Sequence, residues 1–325
     1  MGGRGDVASA LPAGRGRTWY RGDCHVHSAI SSGAVLTPEQ LAAETRRVGL
    51  DFIAVTEHNS TATHTAWASL GGHDLLVVLG QEATTPTGHW LALGLESGQQ
   101  VHGQPHLGLA EVHQVGGLCV VAHPHAPYPS GTFEWPMHGF DLVEVWNGRW
   151  ASDLPWNADN EAALADWARS LTVDVPRGRW RPAIGNSDTH LSGQIGIPHT
   201  VVLAEERTEQ AVLDGLRAGR SWIAESAAVD LTFEVVAGSQ RADIGDRLET
   251  SGDAVVLRVE VRGVPFGRVG VHTDRGEVHR VVLPSDGTGS LEWCTTKAQD
   301  AAFVRLEVRH AEGQMAALTN PVVLM

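Results

Sequence analysis

From residue 19 to about residue 226 the chain alternates short aliphatic or β-branched runs with stretches whose apolar residues recur at helical spacing. The runs TWYRGDCHVH, DFIAVTEH, DLLVVLGQEA, HWLALG, GLCVVAHP, LVEVWN, PAIGNSD and TVVLAE predict strands. Between them TPEQLAAETRRVG predicts a helix, with Thr37 as cap, Pro38 in the first turn and Gly49 as stop. ADNEAALADWARS and TEQAVLDGLRAG read the same way. Strand–helix alternation of this kind predicts an α/β layer or barrel over residues 19–226. After about residue 227 the period changes to two, in VDLTFEVV, AVVLRVEV, GRVGVHT, VHRVVL, SLEW, AFVRLEV and PVVLM, separated by Gly, Asp, Ser and Pro. Strands so closely spaced leave no room for helices, and predict a C-terminal antiparallel β-sandwich over residues 227–325. Residues 1–18, rich in Gly, Arg and Ala without an apolar run, are expected to be a loose tail.

Composition narrows the chemistry. The length of 325 residues suits two such domains. With 24 basic against 38 acidic residues the formal charge is -14, which gives nucleic acid or an anionic membrane no bulk attraction. Lys297 is the sole lysine, so a P-loop lysine, a Schiff-base lysine in the first two thirds and a Ser-x-x-Lys nucleophile are excluded. Cys24, Cys119 and Cys294 are odd in number and far apart, supporting neither a disulfide framework nor a thiolate zinc site. The longest aliphatic runs, such as LLVVL at 75–79, are too short to span a bilayer. A soluble protein in the reducing cytoplasm is the expectation, with its oligomeric state left open.

Histidine is where the sequence concentrates its chemistry: of 17, all but His272, His279 and His310 precede residue 200. His25 and His27 end the first strand, where alternation turns both to one side and Cys24 and Val26 to the other. Comparable groups close later strands: Glu57-His58, Glu82 with His89 seven residues on, His123-Pro-His125, Glu144, and Asp188-Thr-His190. Each alone reads more readily as a capping or solvated residue than as a ligand. Together, at the carboxyl ends of barrel strands, they would converge on one face, where such folds build their sites. Nitrogen and carboxylate ligands without thiolate suit Zn, Mn or Fe, and carboxylates can bridge two ions in a hydrolytic site.

The succession RGDCHVHS, FIAVTEHN, GQEATTPTGH, VVAHPH, LVEVWNG and GNSDTH resembles the PHP (polymerase and histidinol phosphatase) superfamily of metal-dependent hydrolases. The motif order and the ending MAALTNPVVL look most like its carbaryl-hydrolase-like branch, often labelled CehA/McbA. The resemblance implies a distorted, TIM-like β/α barrel of seven strands holding two, at most three, divalent ions. It implies that His25, His27 and Asp188 serve the first ion, that Glu82 bridges to a second completed by His89 and His123, and that His58 and His190 belong to a third. The common Ser-Asp-Gly after the H-x-H is here Ser31-Ser32-Gly33, which removes a carboxylate from the third position. His58 and His190, freed from strict ligation if that position is empty, are then expected as the catalytic acids that protonate a leaving group, since imidazole titrates near pH 6.5.

Arg149, His125 and Glu144 are expected at the substrate, with a surface role the competing reading for Arg149 and His125; for Glu144 a ligand or ligand-supporting role stands against a loop acid. Trp135, Trp146, Trp150, Trp156, Trp167 and Trp180 fall close together, either walling an apolar pocket or packing a long insert. The function expected is metal-dependent hydrolysis of a small, anionic phosphoester. Hydrolysis of a carbamate, ester or amide is the alternative, and a non-catalytic metal-binding module the reading from another class.

Overall fold

The computed structural model describes residues 16–148, 157–250, 252–295 and 301–325. The chain runs β1 (Thr18–Val26), α1 (Pro38–Val48), β2 (Phe52–Val55), α2 (His64–Leu70), β3 (Leu76–Thr85), β4 (Gly88–Leu93), α3 (Pro105–Gln114), β5 (Leu118–Val121), β6 (Leu142–Asn147), α4 (Ala158–Asp174), β7 (Ala183–Asn186), β8 (His199–Ala204), α5 (Glu209–Arg217) and β9 (Ser221–Ala224). Only strands follow among the described residues: β10 (Asp230–Ala237), β11 (Gln240–Ala242), β12 (Arg247–Leu248), β13 (Val255–Arg262), β14 (Arg268–Thr273), β15 (Gly276–Val282), β16 (Gly289–Cys294), β17 (Phe303–Arg309), β18 (Met315–Thr319) and β19 (Val322–Leu324).

Local chemistry sets α1 as the sequence predicts. The Thr37 hydroxyl accepts from Gln40 N–H at 3.3 Å, the Gln40 carbonyl accepts from Thr37 N–H at 2.9 Å, and Gly49 ends the helix at φ 82°. Strands β2 and β5 are buried along their whole length, as strands covered on both faces are.

Strands β1 to β3 pair in parallel, β4 runs antiparallel to β3 and β5, and β5 to β7 are again parallel. The seven strands curl until β7 comes back beside β1, where Cys24 N–H donates to Asn186 Oδ1 at 2.8 Å and Val26 bridges Thr189. The fold is therefore mixed α/β around a curled sheet, and departs from the distorted, TIM-like β/α barrel expected. A tight turn joins β3 to β4 with no room for a helix, and β7 makes its ladder with β6 while meeting β1 through a side chain and one bridge.

The same sheet continues through β8 and β9 into β18, β17, β19 and β12, with β14 and β15 branching from β17. A separate four-stranded sheet, β11-β10-β13-β16, lies over this part. Its inward residues Leu231, Phe233, Val235, Leu257 and Val259 share one core with Val201, Trp222, Val271, Leu306 and Val308 of the large sheet. The C-terminal strands, expected as a self-contained antiparallel sandwich, thus divide between two sheets, one of which is continuous with the curled sheet. The expected boundary at 226/227 falls between β9 and β10. Trp146, Trp167 and Trp180 pack in the core beside β6 and α4, so the insert's tryptophans there are packing; Trp150 and Trp156 lie outside the described residues. Among the described residues no helix is long and apolar enough to cross a membrane.

Candidate metal centre

The end of β1 starts the site. Cys24 and Val26 are buried in two different cores, which turns Asp23, His25 and His27 to the opposite side of the strand. The ends of the neighbouring strands bring the rest: Glu82 from β3, His89 from β4, His58 just after β2, His123 just after β5, and Asp188 and His190 after β7.

Glu82, buried, lies at the centre. Its Oε1 is 3.0 Å from His89 Nδ1, 3.2 Å from His123 Nε2 and 3.5 Å from His25 Nε2. Its Oε2 is 3.1 Å from His58 Nε2 and 3.5 Å from His27 Nε2. Asp188 Oδ1 is 2.9 Å from His27 Nε2, 3.4 Å from His25 Nε2 and 3.6 Å from His190 Nδ1. Three overlapping groups therefore each gather ligand atoms within 4.8 Å of one another: His25, His27 and Asp188; His25, Glu82 and His123; His27, His58 and His190.

The donor atoms themselves test the fit to divalent ions. Nε2 of His25, Nε2 of His27, Oε2 of Glu82 and Oδ1 of Asp188 are buried, and none has a hydrogen bond of good geometry. Buried polar atoms left this way are costly, and four converging from imidazole and carboxylate are the donor set a divalent ion satisfies. Backbone strain collects here as well. Of the four described non-glycine residues at positive φ, Asn59 (45°), His123 (23°) and Asp188 (49°) flank the centre.

In the metal-free protein burial works against every charge, and the groups offset it for one another. Burial raises and His25 lowers the Glu82 carboxyl, which a hydrogen bond from His123 and the nearby rings of His25 and His58 help hold well below the usual range. Asp188 is likewise held low against burial by His25 and His27. His25 stays well above the ordinary imidazole value despite burial, because Asp188, Glu144 and Glu82 surround it. His27 is pushed down to about 4 by burial, which keeps the ring neutral, with one nitrogen available as a lone-pair donor.

Several supporting contacts were not legible in the sequence. Asp23 Oδ1 accepts from Ser187 N–H at 3.1 Å and its Oδ2 from Gly196 N–H at 2.9 Å, tying β1 to the loop that carries Asp188. Its place two residues before His25 in the strand alternation was the available signal. Glu57 accepts from the Ser28 hydroxyl and from Ser31 Oγ at 2.6 Å, while Ser31 Oγ accepts from His58 N–H at 3.0 Å. Ser32, standing where the resembled family has an acid, is exposed. Tyr128 packs its ring beside His89 and His123, with centroids 5.9 and 6.2 Å away. Burial raises the Tyr128 phenol far above its ordinary value, with Asp188, Glu82 and Glu144 adding to the shift.

The expected substrate residues fare differently. Glu144 is buried beneath the centre: it accepts from His25 Nδ1 at 3.2 Å, His123 N–H at 2.9 Å, Asn147 Nδ2 at 2.8 Å and Asn186 Nδ2 at 2.8 Å. Its oxygens are taken up by these four donors, which include the His25 ring and the His123 backbone. His125 turns its Nε2 to Asp166 Oδ2 of α4 at 2.7 Å. Arg149 lies outside the described residues.

Over 99% of this chain and 100% of the other, at 18% identity and a TM-score of 0.55, the structure matches a two-domain protein from Bacteroides vulgatus containing a predicted PHP-like metal-dependent phosphoesterase. The two share a fold. The PHP-associated family model matches residues 178–221, which carry β7, Asp188, His190, β8 and α5. A candidate metal-dependent phosphoesterase from Bifidobacterium adolescentis is 18% identical over 53% of this chain and 88% of that one, with a TM-score of 0.39. An amidohydrolase from Chromobacterium violaceum with bound sulfate and no metal is 14% identical over 54% and 89%, with a TM-score of 0.37. No curated protein matches this chain. The carbaryl-hydrolase-like branch finds no counterpart in these matches.

Proposed function

We propose that this protein is a metal-dependent hydrolase acting on a small phosphoester. The observation that carries the reading is the set of buried donor atoms without hydrogen bonds around Glu82. The PHP-like metal-dependent phosphoesterase in the neighbour that shares the whole fold supports the choice of phosphoester. Divalent ions of the Zn, Mn or Fe type, when bound, supply Lewis acidity that lowers the pKa of water and offsets charge developing on an ester oxygen.

The chain's own part follows from its contacts. His25, His27 and Asp188 are one ligand set, and Glu82 with His89 and His123 a second that shares the His25 edge. Glu144 fixes the His25 ring through Nδ1, so that Nε2 faces the centre. His58 and His190 stand at the more open edge, half-buried, and are the groups to protonate a leaving oxygen or to hold a third ion. His190 Nδ1 donates to the Asp188 carbonyl at 2.9 Å, which leaves its Nε2 to give or take the proton.

A specific observation also favours a neutral carbonyl substrate, the carbamate, ester or amide of the carbaryl-hydrolase type. Arg177, Arg179 and Arg181 bond to Val173, Asp174, and Met137 with Phe140, away from the centre. Ile30, Val35 and Leu191 are exposed on the two loops that flank His190.

Metal analysis followed by hydrolysis of p-nitrophenyl phosphate, bis-p-nitrophenyl phosphate, p-nitrophenyl acetate and a p-nitrophenyl carbamate separates these readings. We expect stoichiometric metal and phosphoester turnover, both lost in Glu82→Ala by about 100-fold or more in rate, and neither changed in Arg275→Ala at the exposed β14–β15 turn. Turnover of the acetate or carbamate alone selects the second reading, and bound metal with no turnover at all the non-catalytic module. A His190→Ala protein that keeps its metal, its rate and its pH profile removes the proton-donor role.

A further inference from the structure

We propose that the Tyr128 hydroxyl donates a hydrogen bond to the substrate oxygen that gains negative charge at the His89–His123 end of the centre. The assignment deepens, and rests on, the hydrolase reading above.

The loop after His123 is built to hold this ring. Ala126 N–H donates to the His123 carbonyl at 2.9 Å, Tyr128 N–H to the Ala126 carbonyl at 3.0 Å and Gly131 N–H to the Tyr128 carbonyl at 2.9 Å. His125 bridges Thr132, and Phe133 N–H returns to the Pro124 carbonyl at 3.0 Å, which closes the loop on itself. The loop therefore folds the ring of Tyr128 back over His89 and His123, tilted by 53° and 52° to their planes. Gly131 is the necessary partner of this placement. A Cβ there would stand 2.6 Å from Tyr128 Cε2 and Cζ and 2.7 Å from the Ala126 Cβ, so any side chain would drive the ring and its hydroxyl off the centre. Glu134 N–H, bonded to the Thr87 carbonyl at 2.9 Å, anchors the far end of the segment to the β3–β4 turn beside His89.

The chemistry complements what the ligand residues lack. His25, His89, His123, Glu82 and Asp188 offer lone pairs toward a cation, whereas a phenol is an O–H donor at neutral pH. Ester hydrolysis places new negative charge on a phosphoryl or carbonyl oxygen, and a prepositioned neutral donor in a half-buried site is the kind of group that stabilises it. No proton changes hands in this role: the O–H stays on Tyr128 before and after the reaction.

Tyr20 and Tyr128 are the two tyrosines of the chain, so protein labelled with carbon-13 at tyrosine Cζ gives two resonances. Inorganic phosphate, titrated into the zinc-loaded full-length protein, should shift the resonance that is missing in Tyr128→Phe and leave that of Tyr20 in place. In the same variant metal content should be retained, phosphate binding should weaken about tenfold, and kcat on the best ester should fall about 10- to 100-fold with little change in KM. A Tyr128 resonance that does not respond, whether because phosphate stays unbound or binds elsewhere, overturns the assignment. So does a Tyr128→Phe protein with wild-type phosphate affinity. If Tyr128 responds to phosphate while no ester is hydrolysed, the donor role stands and the hydrolase reading falls. Gly131→Ala, which leaves the phenol present but displaces it, should reproduce the loss of phosphate affinity with metal retained.

Discussion

Asp23 shows how a single buried side chain links the centre to the stability of the protein. It is fully buried, and burial raises its carboxyl to about 6 from an ordinary 3.8, against hydrogen bonds from Ser187 and Gly196 that work to lower it. A folded value above the unfolded one means that the folded state binds the extra proton between them. The contribution is therefore full below about pH 4 and lost as pH rises through about 6. Chemical denaturation of the metal-free protein across this range should show stability falling toward pH 6 in the wild type and a flatter profile in Asp23→Asn. Equal slopes in the two proteins would mean that Asp23 is already ionised when folded at low pH. The centre above it works in the opposite sense. Asp188, Glu144 and Glu82 hold His25 charged, and His25 in turn helps hold Glu82 and Asp188 low.

At the scale of elements, the strongest local signals belong to α1. Thr37, Gln40, Pro38 and Gly49 each satisfy a need that exists within one turn of chain, and the structure uses all four. Thr37→Ala removes the hydroxyl that accepts from Gln40 N–H, and should cost about 1 kcal/mol in denaturation experiments without changing metal content. A loss below a few tenths of that would show that packing of Leu41 and Ala42 alone sets the helix start. The strand ends answer to a different requirement. His123 at φ 23° and Asp188 at φ 49° adopt backbone conformations that their own residue types resist, and are kept there by the strands that precede them. Hairpin pairing of β3 and β4 puts His89 opposite Thr84, within reach of Glu82 two residues back. A helix between those strands, as an alternating barrel would have it, could not do this.

The whole molecule depends on contacts that no local pattern announces. Asn320, two residues before β19, accepts from Ala183 N–H at 2.8 Å through Oδ1. Its Nδ2 donates to the carbonyls of Ala183 and Ser221 and to Ser221 Oγ at 2.9, 3.1 and 2.9 Å. One buried amide thus joins β7 and β9 to the C-terminal tail, beside the ladder in which Ala317, Leu318 and Thr319 pair with Ala224, Ile223 and Trp222. Asn320→Ala would strand the Ala183 N–H without a partner, and should destabilise the protein by about 2 to 3 kcal/mol, measured as a lower denaturation midpoint. A near-neutral result would show that this junction relaxes, and that the two parts of the large sheet are less dependent on each other than the pairing implies.

The sequence by itself determined the candidate ligand set. His25, His27, His58, Glu82, His89, His123, Asp188 and His190 were readable because each sits in a strand or just after one, and for His25 and His27 strand alternation sets a common side. The helices with complete caps were readable for the same reason, since their causes lie within a few residues. Only the tertiary structure decided which residues serve the ligands, because the partners are far apart in the chain: Glu144 reaches His25 across 119 residues, and Asp23 reaches Gly196 across 173. It also decided that the sheet curls with mixed strand directions, and that its hydrogen bonds run on past residue 226. Periodicity reports which face of a strand is buried. It carries no information about which strand lies beside it, and that neighbour is what turns eight scattered side chains into one site.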